Sequence, residues 1–284
     1  MILLVDYIKA IRAPLDNMNF LLAPFCIYLI IFVVSAISGG FLDIARLVTI
    51  FLPPVGVVLM GISLVIMVIL GIVSIILTLI VDGYLLSTFQ NILDKRKLVK
   101  FGMSEILGYV IRAIKGGLIS FAYALPGLIL ITIAMLVVFG GTIFGLLSGG
   151  NSQQITQTFL ANIIVTGIIA IPLIMLAVLF FLIAGYFLPA AISIWLKEDR
   201  AFEAFNFGRI LKNVFKLDYL LSLVVAVAVS MILGLLVLLV TGIIVMLISL
   251  FFPSFAGAIS SFTSSLMSFV VAIILYSMLA QVIE

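Results

Sequence analysis

Long runs of hydrophobic residues alternate with short polar or charged breaks along the chain. The runs cover roughly residues 18–38, 54–84, 117–139, 155–190, 218–250 and 257–283. Each is about as long as the roughly 20 apolar residues that a helix needs to cross the hydrocarbon core of a bilayer, or longer. The pattern therefore predicts an all-α, polytopic membrane protein with six transmembrane helices in a single integral membrane domain over residues 1–284. We interpret the first run as a retained transmembrane helix. The alternative is a signal peptide that is removed, but the hydrophobic region of a signal peptide is usually shorter than this run.

A short motif recurs along the chain. The string IKAIR at Ile8–Arg12 returns as IRAIK at Ile111–Lys115, and a weaker copy, LKNVFK, lies at Leu211–Lys216. Each copy precedes a pair of hydrophobic runs, and the first two pairs both end in Gly-Tyr, at Gly83 and at Gly185. The repeat predicts three modules inserted in the same orientation. Their approximate limits are residues 1–92, 103–196 and 203–284.

The segments that carry the second and third copies are amphipathic. Within 103–116, Arg112 and Lys115 lie on the helix side opposite the apolar residues, and within 203–217, Arg209, Lys212 and Lys216 do the same. Helices of this kind lie in the headgroup plane of a membrane. We therefore expect three similarly oriented hairpins of transmembrane helices, each preceded by a cytoplasmic interfacial amphipathic helix.

Basic residues are distributed very unevenly between the two sides of the predicted bundle. All 14 Lys and Arg residues except Arg46 fall in the N-terminal segment, in the break after the second run or in the break after the fourth. Lys and Arg near helix ends are retained on the cytoplasmic side of a cell membrane. The distribution predicts a multi-pass protein of the plasma membrane with both termini in the cytoplasm.

The residue types needed for most enzyme chemistry are scarce. The sequence contains no histidine and a single cysteine, Cys26, which lies in the first hydrophobic run. Disulfides, Cys/His metal sites and catalysis by a thiol or an imidazole are therefore excluded within this chain. No glycine-rich phosphate loop or catalytic motif is present in the sequence either. We expect no enzyme activity, no metal site and no cofactor.

Two carboxylates lie at the predicted cytoplasmic ends of the spans, Asp82 at the end of the second run and Asp218 at the start of the fifth. Ionisable residues inside a membrane are functional candidates by default, so one interpretation is a role in binding an ion or a substrate. The other interpretation is structural, because a carboxylate beside Lys or Arg is ordinary at the interface.

Two further sets of residues are candidate binding positions. The basic residues of the amphipathic segments are suited to anionic lipid headgroups, although they also serve as topology signals; these are Lys9, Arg12, Arg112, Lys115, Arg209, Lys212 and Lys216. Hydroxyl side chains in the last run suit either close helix packing or the lining of a wet cavity; these are Ser261, Ser264, Ser265 and Ser268.

The stretch from Gly83 to Leu130 resembles the family defined by domain of unknown function 4013, multi-pass membrane proteins found mainly in methanogenic archaea and also in bacteria. The shared features are a Gly-Tyr, a polar break, an amphipathic segment, and then Tyr123 and Pro126 in the next span. The stretch from Gly185 is similar to that family's later segment, with a Pro-Ala-Ala, a charged break and a basic helix. The resemblance implies the same topology and no particular activity.

Two classes of function remain open at this level. The first is a non-enzymatic component that organises the membrane by binding lipids or partners, which the interfacial helices and the scarcity of polar residues within the spans favour. The second is a transporter or channel subunit for a small or apolar solute, which the serine-rich last span and the long runs favour. Membrane lipids are the expected partners, with other membrane proteins or a second copy as further candidates, and no nucleic acid.

Overall fold

The computed structural model describes residues 6–16, 18–94, 101–147, 152–250 and 252–283. These residues form helices with short connections and contain no strand. The helices are α1 (Tyr7–Asp16), α2 (Met18–Phe51), α3 (Pro53–Leu93), α4 (Ile106–Leu147), α5 (Ser152–Glu198), α6 (Phe207–Val214), α7 (Leu217–Ser249) and α8 (Pro253–Val282). Two short 3₁₀ turns, Met103–Glu105 and Ala201–Phe205, precede α4 and α6.

Six helical segments within the described residues are long and apolar enough to cross a membrane. They are Phe20–Phe51, Pro53–Leu93, Met103–Gly140, Ala170–Glu198, Leu217–Ser249 and Pro253–Val282. The predictions of an all-α fold and of six membrane-crossing helices are therefore confirmed, and the chain is an integral membrane protein. The arrangement as three similarly oriented hairpins, the three modules and the membrane orientation stay predictions.

The first span is longer than the hydrophobic pattern indicated. The predicted run ends near residue 38, whereas α2 continues through Gly39 and Gly40 to Phe51. Glycine weakens a helix, but here its missing side chain has a use: a Cβ at Gly39 would collide with the Cβ of Ser254 on α8. Gly56 of α3 lies equally close to Thr49 of α2, so both neighbours of α2 pack tightly at this end.

The chain divides into two compact units, residues 1–116 with 193–284, and residues 117–192. In the first unit, α2 runs antiparallel to α3. The hydroxyl of Tyr84 on α3 donates to the carbonyl of Phe20 near the start of α2 (3.3 Å), whereas Thr49, near the end of α2, donates to the sulfur of Met60 near the start of α3 (3.7 Å). In the second unit, Gly127 of α4 faces the ring of Phe181 on α5, where a Cβ would lie 2.9 Å from the nearest ring carbons.

Helix α8 is the central element of the first unit and packs against α1, α2, α3 and α7. Aromatic side chains fill much of its contact with α2: the Phe20 and Phe269 rings lie 6.5 Å apart between centroids, and the Phe32 and Phe255 rings 5.8 Å apart. Where α8 meets α3, Phe89 and Tyr276 stack with centroids 4.0 Å apart. Edge-to-face pairs such as Phe32 and Phe255 add packing energy beyond the area that they bury.

Burial in the first unit is concentrated at the end that carries most of the basic residues. The largest fully buried side chains there include Trp195, Tyr84, Tyr219, Phe89, Leu196, Ile210, Met278 and Leu279. The opposite halves of α3 and α7 instead expose large apolar side chains over most of their surface, as helices surrounded by lipid do. This well-packed end contains α6 and the ends of α5 and α8.

The amphipathic segments adopt two different arrangements. Residues 207–214 form the separate helix α6. Residues 7–16 form α1, which ends next to Asn17, a residue outside the described part of the chain. Residues 106–116, by contrast, are the first turns of α4 and continue into the span without a break, so a separate helix at this place is not found. The apolar residues Ile111, Ile114 and Leu118 are exposed along this part of α4.

Candidate functional site

Helix α6 connects two membrane-crossing helices, α5 and α7, and begins and ends with recognisable signals. The side chain of Asn206 accepts a hydrogen bond from the backbone N–H of Arg209, which caps the helix N-terminus. Lys212 lies in the last turn, where a positive charge complements the helix dipole. α6 therefore belongs to the connection between two membrane-crossing helices.

Three faces of α6 have different surroundings. Ile210 and Val214 are fully buried against the protein. Phe207, Leu211 and Phe215 are exposed and lie on the adjoining side. The third face carries Arg209 and Lys212, because residues three positions apart lie on the same side of a helix. Lys216 follows the end of α6 and caps the start of α7. An exposed apolar face beside a basic one is the pattern of a helix at a membrane interface.

The basic face of α6 borders a pocket of about 250 Å³. Besides Arg209, Lys212 and Lys216, the pocket is lined by Ile194, Lys197, Glu198, Asn213 and Ile283. We call this the α6 pocket. Four of its lining side chains are basic and one is acidic, so the pocket favours an anionic ligand.

The charged side chains of the α6 pocket differ in how they are held. Arg209 Nη1 lies 3.0 Å from Glu198 Oε1 and 3.4 Å from Glu203 Oε2, so its charge is partly balanced. Lys216 Nζ donates to the carbonyl of Val282 at 3.1 Å, which ties the connection between α6 and α7 to the end of α8. Lys197 and Lys212 form no ion pair within the described part of the chain. These two ammonium groups are therefore the ones best able to bind an anion.

The predicted lipid-contact residues do not form one site. Arg209, Lys212 and Lys216 come together in the α6 pocket, whereas the half-buried Arg112 lies in a different cavity and donates to the hydroxyl of Ser87. Lys115 is exposed and lines neither of these pockets. Arg12 is exposed on α1, and the side chain of Lys9 lies outside the described residues.

The serines predicted to line a cavity and the two boundary carboxylates are exposed or half-buried. Ser261, Ser264 and Ser268 are exposed on α8, and Ser265 is half-buried. Asp82 is exposed on α3, and Asp218 lies half-buried in the first turn of α7, where a carboxylate complements the helix dipole. A different hydroxyl-lined cavity, of about 400 Å³, lies between α2, α3 and α8. Its polar side chains are Ser35, Ser38, Ser74 and Ser254.

Sequence reasoning missed two contributors to the α6 pocket and one buried charge. Lys197 ends α5 and Ile283 follows α8, and only the folded chain brings them to α6. Asp43 is buried on α2 and accepts hydrogen bonds from the backbone N–H (3.2 Å) and the hydroxyl (2.9 Å) of Ser254 at the start of α8. In the sequence, this buried charge could have been suspected from the pair Asp43 and Arg46. The predicted side of the bundle on which they lie otherwise has no basic residue.

A family described as proteins of unknown function, DUF4013, matches residues 66–242. This stretch is well over half of the chain, and it contains all of the α6 pocket lining except Ile283. The chain belongs to the DUF4013 family. Membership confirms the resemblance seen from Gly83 and from Gly185. No curated protein and no solved structure matches this DUF4013 protein, so its function rests on its own residues.

Proposed function

We propose that this DUF4013 protein is a non-enzymatic, membrane-organising component that binds an anionic phospholipid headgroup in the α6 pocket. The observation that carries the proposal is the grouping of Lys197, Arg209, Lys212 and Lys216 around one pocket beside an exposed apolar helix face. Each Lys or Arg near a charged membrane surface contributes about 1 kcal/mol to the attraction of anionic lipids.

The surroundings of the pocket support a lipid rather than a soluble anion. Phe202, Phe207 and Phe215 project large exposed apolar side chains from the same connection between α5 and α7. Aromatic rings are stable at the boundary between headgroups and acyl chains. With these rings embedded, the basic face of α6 lies at the depth of the lipid phosphates.

The first test replaces Lys212 with Gln in the full-length protein and measures binding of phosphatidylglycerol by native mass spectrometry in an uncharged detergent. Loss of about 1 kcal/mol should weaken binding about fivefold. The double variant Lys197→Gln/Lys212→Gln should lose roughly 25-fold if the two contributions add. Phosphatidylcholine, which has no net charge, should bind the variants and the wild type alike.

The matched control is Lys115→Gln, which removes the same charge from an exposed position outside the pocket. It should weaken binding of phosphatidylglycerol by less than about twofold, since an isolated exposed charge contributes little. An equal loss in Lys115→Gln and Lys212→Gln would show that basic charge in general, and not the α6 pocket, attracts the lipid.

Binding from the cytoplasmic leaflet requires the orientation that the charges predict, with both termini inside the cell. We expect an impermeant maleimide applied to intact cells to label a cysteine at position 149 and not one at position 97. The test uses Gly149→Cys and Lys97→Cys, each combined with Cys26→Ser, because Cys26 is the single native cysteine. Labelling at position 97 from outside contradicts the orientation and moves the α6 pocket to the other leaflet.

A transporter or channel subunit is the second candidate, and the cavity between α2, α3 and α8 is the observation that favours it. Four serines line this cavity together with apolar residues and two glycines, a surface suited to a small uncharged solute. No charged residue lines that cavity, so it has no group that would attract or select a charged solute. The α6 pocket, with its four basic residues, therefore supports lipid binding more strongly than the cavity supports transport.

A further inference from the structure

A second polar cavity, of about 770 Å³, lies at the basic end of the bundle between the end of α3 and the start of α4. We call it the α4 cavity. Its lining includes the carboxylates Asp94 and Glu105 together with the guanidinium of Arg112. The α6 pocket, in contrast, has four basic residues and one acidic residue. The two sites therefore select different charges.

We propose that the α4 cavity binds a ligand that carries both a phosphate and a primary ammonium group, as phosphoethanolamine and the headgroup of phosphatidylethanolamine do. A purely anionic ligand would face the carboxylate of Glu105, and a purely cationic one would face Arg112. A ligand with both charges matches both ends of the cavity. This inference is independent of the anionic lipid proposed for the α6 pocket.

Arg112 supplies the phosphate end of the α4 cavity. Its Nη1 donates to the hydroxyl of Ser87, which fixes the direction of the side chain. A guanidinium has five N–H donors in a planar fork, so this bond leaves donors that can bind two phosphate oxygens at once. Ser87 is itself buried and donates to the carbonyl of Gly83, so the anchor of Arg112 is held by α3.

Glu105 supplies the ammonium end. One carboxylate oxygen, Oε2, accepts a hydrogen bond from the hydroxyl of Tyr109 at 2.9 Å, and that hydroxyl in turn accepts one from the backbone N–H of Gly102 at 3.4 Å. A carboxylate has about four acceptor positions, so Glu105 can still accept from an ammonium group. Glu105 and Arg112 both line the α4 cavity, so one ligand that enters it can meet both charges.

The position of the α4 cavity favours a lipid as the source of this ligand. Met103 and Leu107 are strongly exposed apolar residues at the start of α4, and Leu107 also lines the cavity. Acyl chains can lie against these side chains while the headgroup enters the cavity. Free phosphoethanolamine offers the same two charged groups without that apolar contact.

Gly108 provides a direct test because it lines the α4 cavity and no atom lies within 4 Å of a Cβ added there. A leucine at this position should fill the cavity without disturbing the packing. Gly117 is the matched control: it lies on the same helix, is also exposed, and has the same open space. The readout is native mass spectrometry of the full-length protein in an uncharged detergent, with defined lipids added.

We expect phosphatidylethanolamine to bind the wild type roughly tenfold more tightly than phosphatidylcholine, because the quaternary ammonium of choline has no N–H to donate to Glu105. Gly108→Leu should lose this preference, and Gly117→Leu should keep it. Glu105→Gln, which changes little in shape, should reduce it roughly tenfold. Gly108→Leu should unfold in a denaturing detergent at the same midpoint as the wild type, which reports that the variant is folded.

Equal binding of phosphatidylethanolamine and phosphatidylcholine to the wild type overturns the proposal, as does unchanged preference in both Gly108→Leu and Glu105→Gln. Titration with water-soluble phosphoethanolamine identifies the source. If it binds with the same dependence on Gly108 and Glu105, the headgroup chemistry alone is sufficient. If only the lipid binds with that dependence, the acyl chains contribute and the ligand is a membrane lipid.

Discussion

Replacing Gly83 with alanine is expected to lower the free energy of unfolding by about 3 kcal/mol, the upper end of the usual cost of overpacking a core. A Cβ at this position would collide with the backbone carbonyl of Tyr109 on α4. Backbone cannot move aside as a flexible side chain can. Tyr109 is also buried against the rings of Tyr84 and Phe101, so any shift of α4 disturbs the core of the first unit. The measurement is unfolding by a denaturing detergent in mixed micelles.

The second Gly-Tyr of the chain gives the matched control. Gly185 lies in α5 and has no atom within 4 Å of an added Cβ. Gly185→Ala should leave the stability unchanged or raise it by up to about 1 kcal/mol, because alanine is the better helix former. If both variants lose stability to the same extent, the contact between Gly83 and Tyr109 is not the reason.

The two glycines also show a limit of the sequence repeat as a guide to packing. Gly83 and Gly185 look equivalent in the sequence, and each is followed by tyrosine. In the structure, Gly83 and Tyr84 are buried, whereas Gly185 is exposed. A sequence match between two membrane helices therefore does not by itself predict which of the two is packed against a neighbour. The surface of a membrane helix consists of apolar or small residues whether it faces lipid or another helix. The hydropathy of the sequence therefore cannot distinguish these two surroundings.

The six spans could be predicted from the sequence because the bilayer imposes them. A long apolar run has no stable alternative in water, and the bilayer thickness fixes its minimum length. The extent of α2 could not be predicted, because Gly39 and Gly40 have the composition of a turn. Only the approach of Ser254 on a helix far along the chain shows why glycine is accommodated inside the helix.

Part of the candidate site could be predicted from the sequence, because some of its residues are close together along the chain. Arg209, Lys212 and Lys216 are close together in the sequence, and helical spacing places Arg209 and Lys212 on one face of α6. Lys197 comes from another helix, and its place beside them depends on how α5, α6 and α8 pack together. Arg112 has the same residue type and a similar segment, yet it enters the α4 cavity with Glu105. Residue type and helical spacing predict a face, and the fold determines which faces share a pocket.

Replacing Asp43 with alanine should lower the free energy of unfolding by about 2–3 kcal/mol, since hydrogen bonds to a charged group contribute about 1.5–3 kcal/mol. Asp43 is only 4% exposed, and its two carboxylate oxygens accept hydrogen bonds from the backbone N–H and the hydroxyl of Ser254. The variant leaves the N-terminus of α8 without this acceptor. Unfolding in mixed micelles again provides the measurement.

Arg46→Gln separates this bond from the ion pair on the same helix. Arg46 Nη1 lies 3.8 Å from Asp43 Oδ1, and the arginine side chain is 56% exposed. Such a pair contributes little in water, so Arg46→Gln should change the free energy of unfolding by less than about 0.5 kcal/mol. A loss as large as that of Asp43→Ala would mean that Asp43 stabilises the protein through Arg46. The expected difference between the two variants instead assigns the stabilisation to the contact between α2 and α8, which holds the otherwise lipid-exposed end of the bundle together.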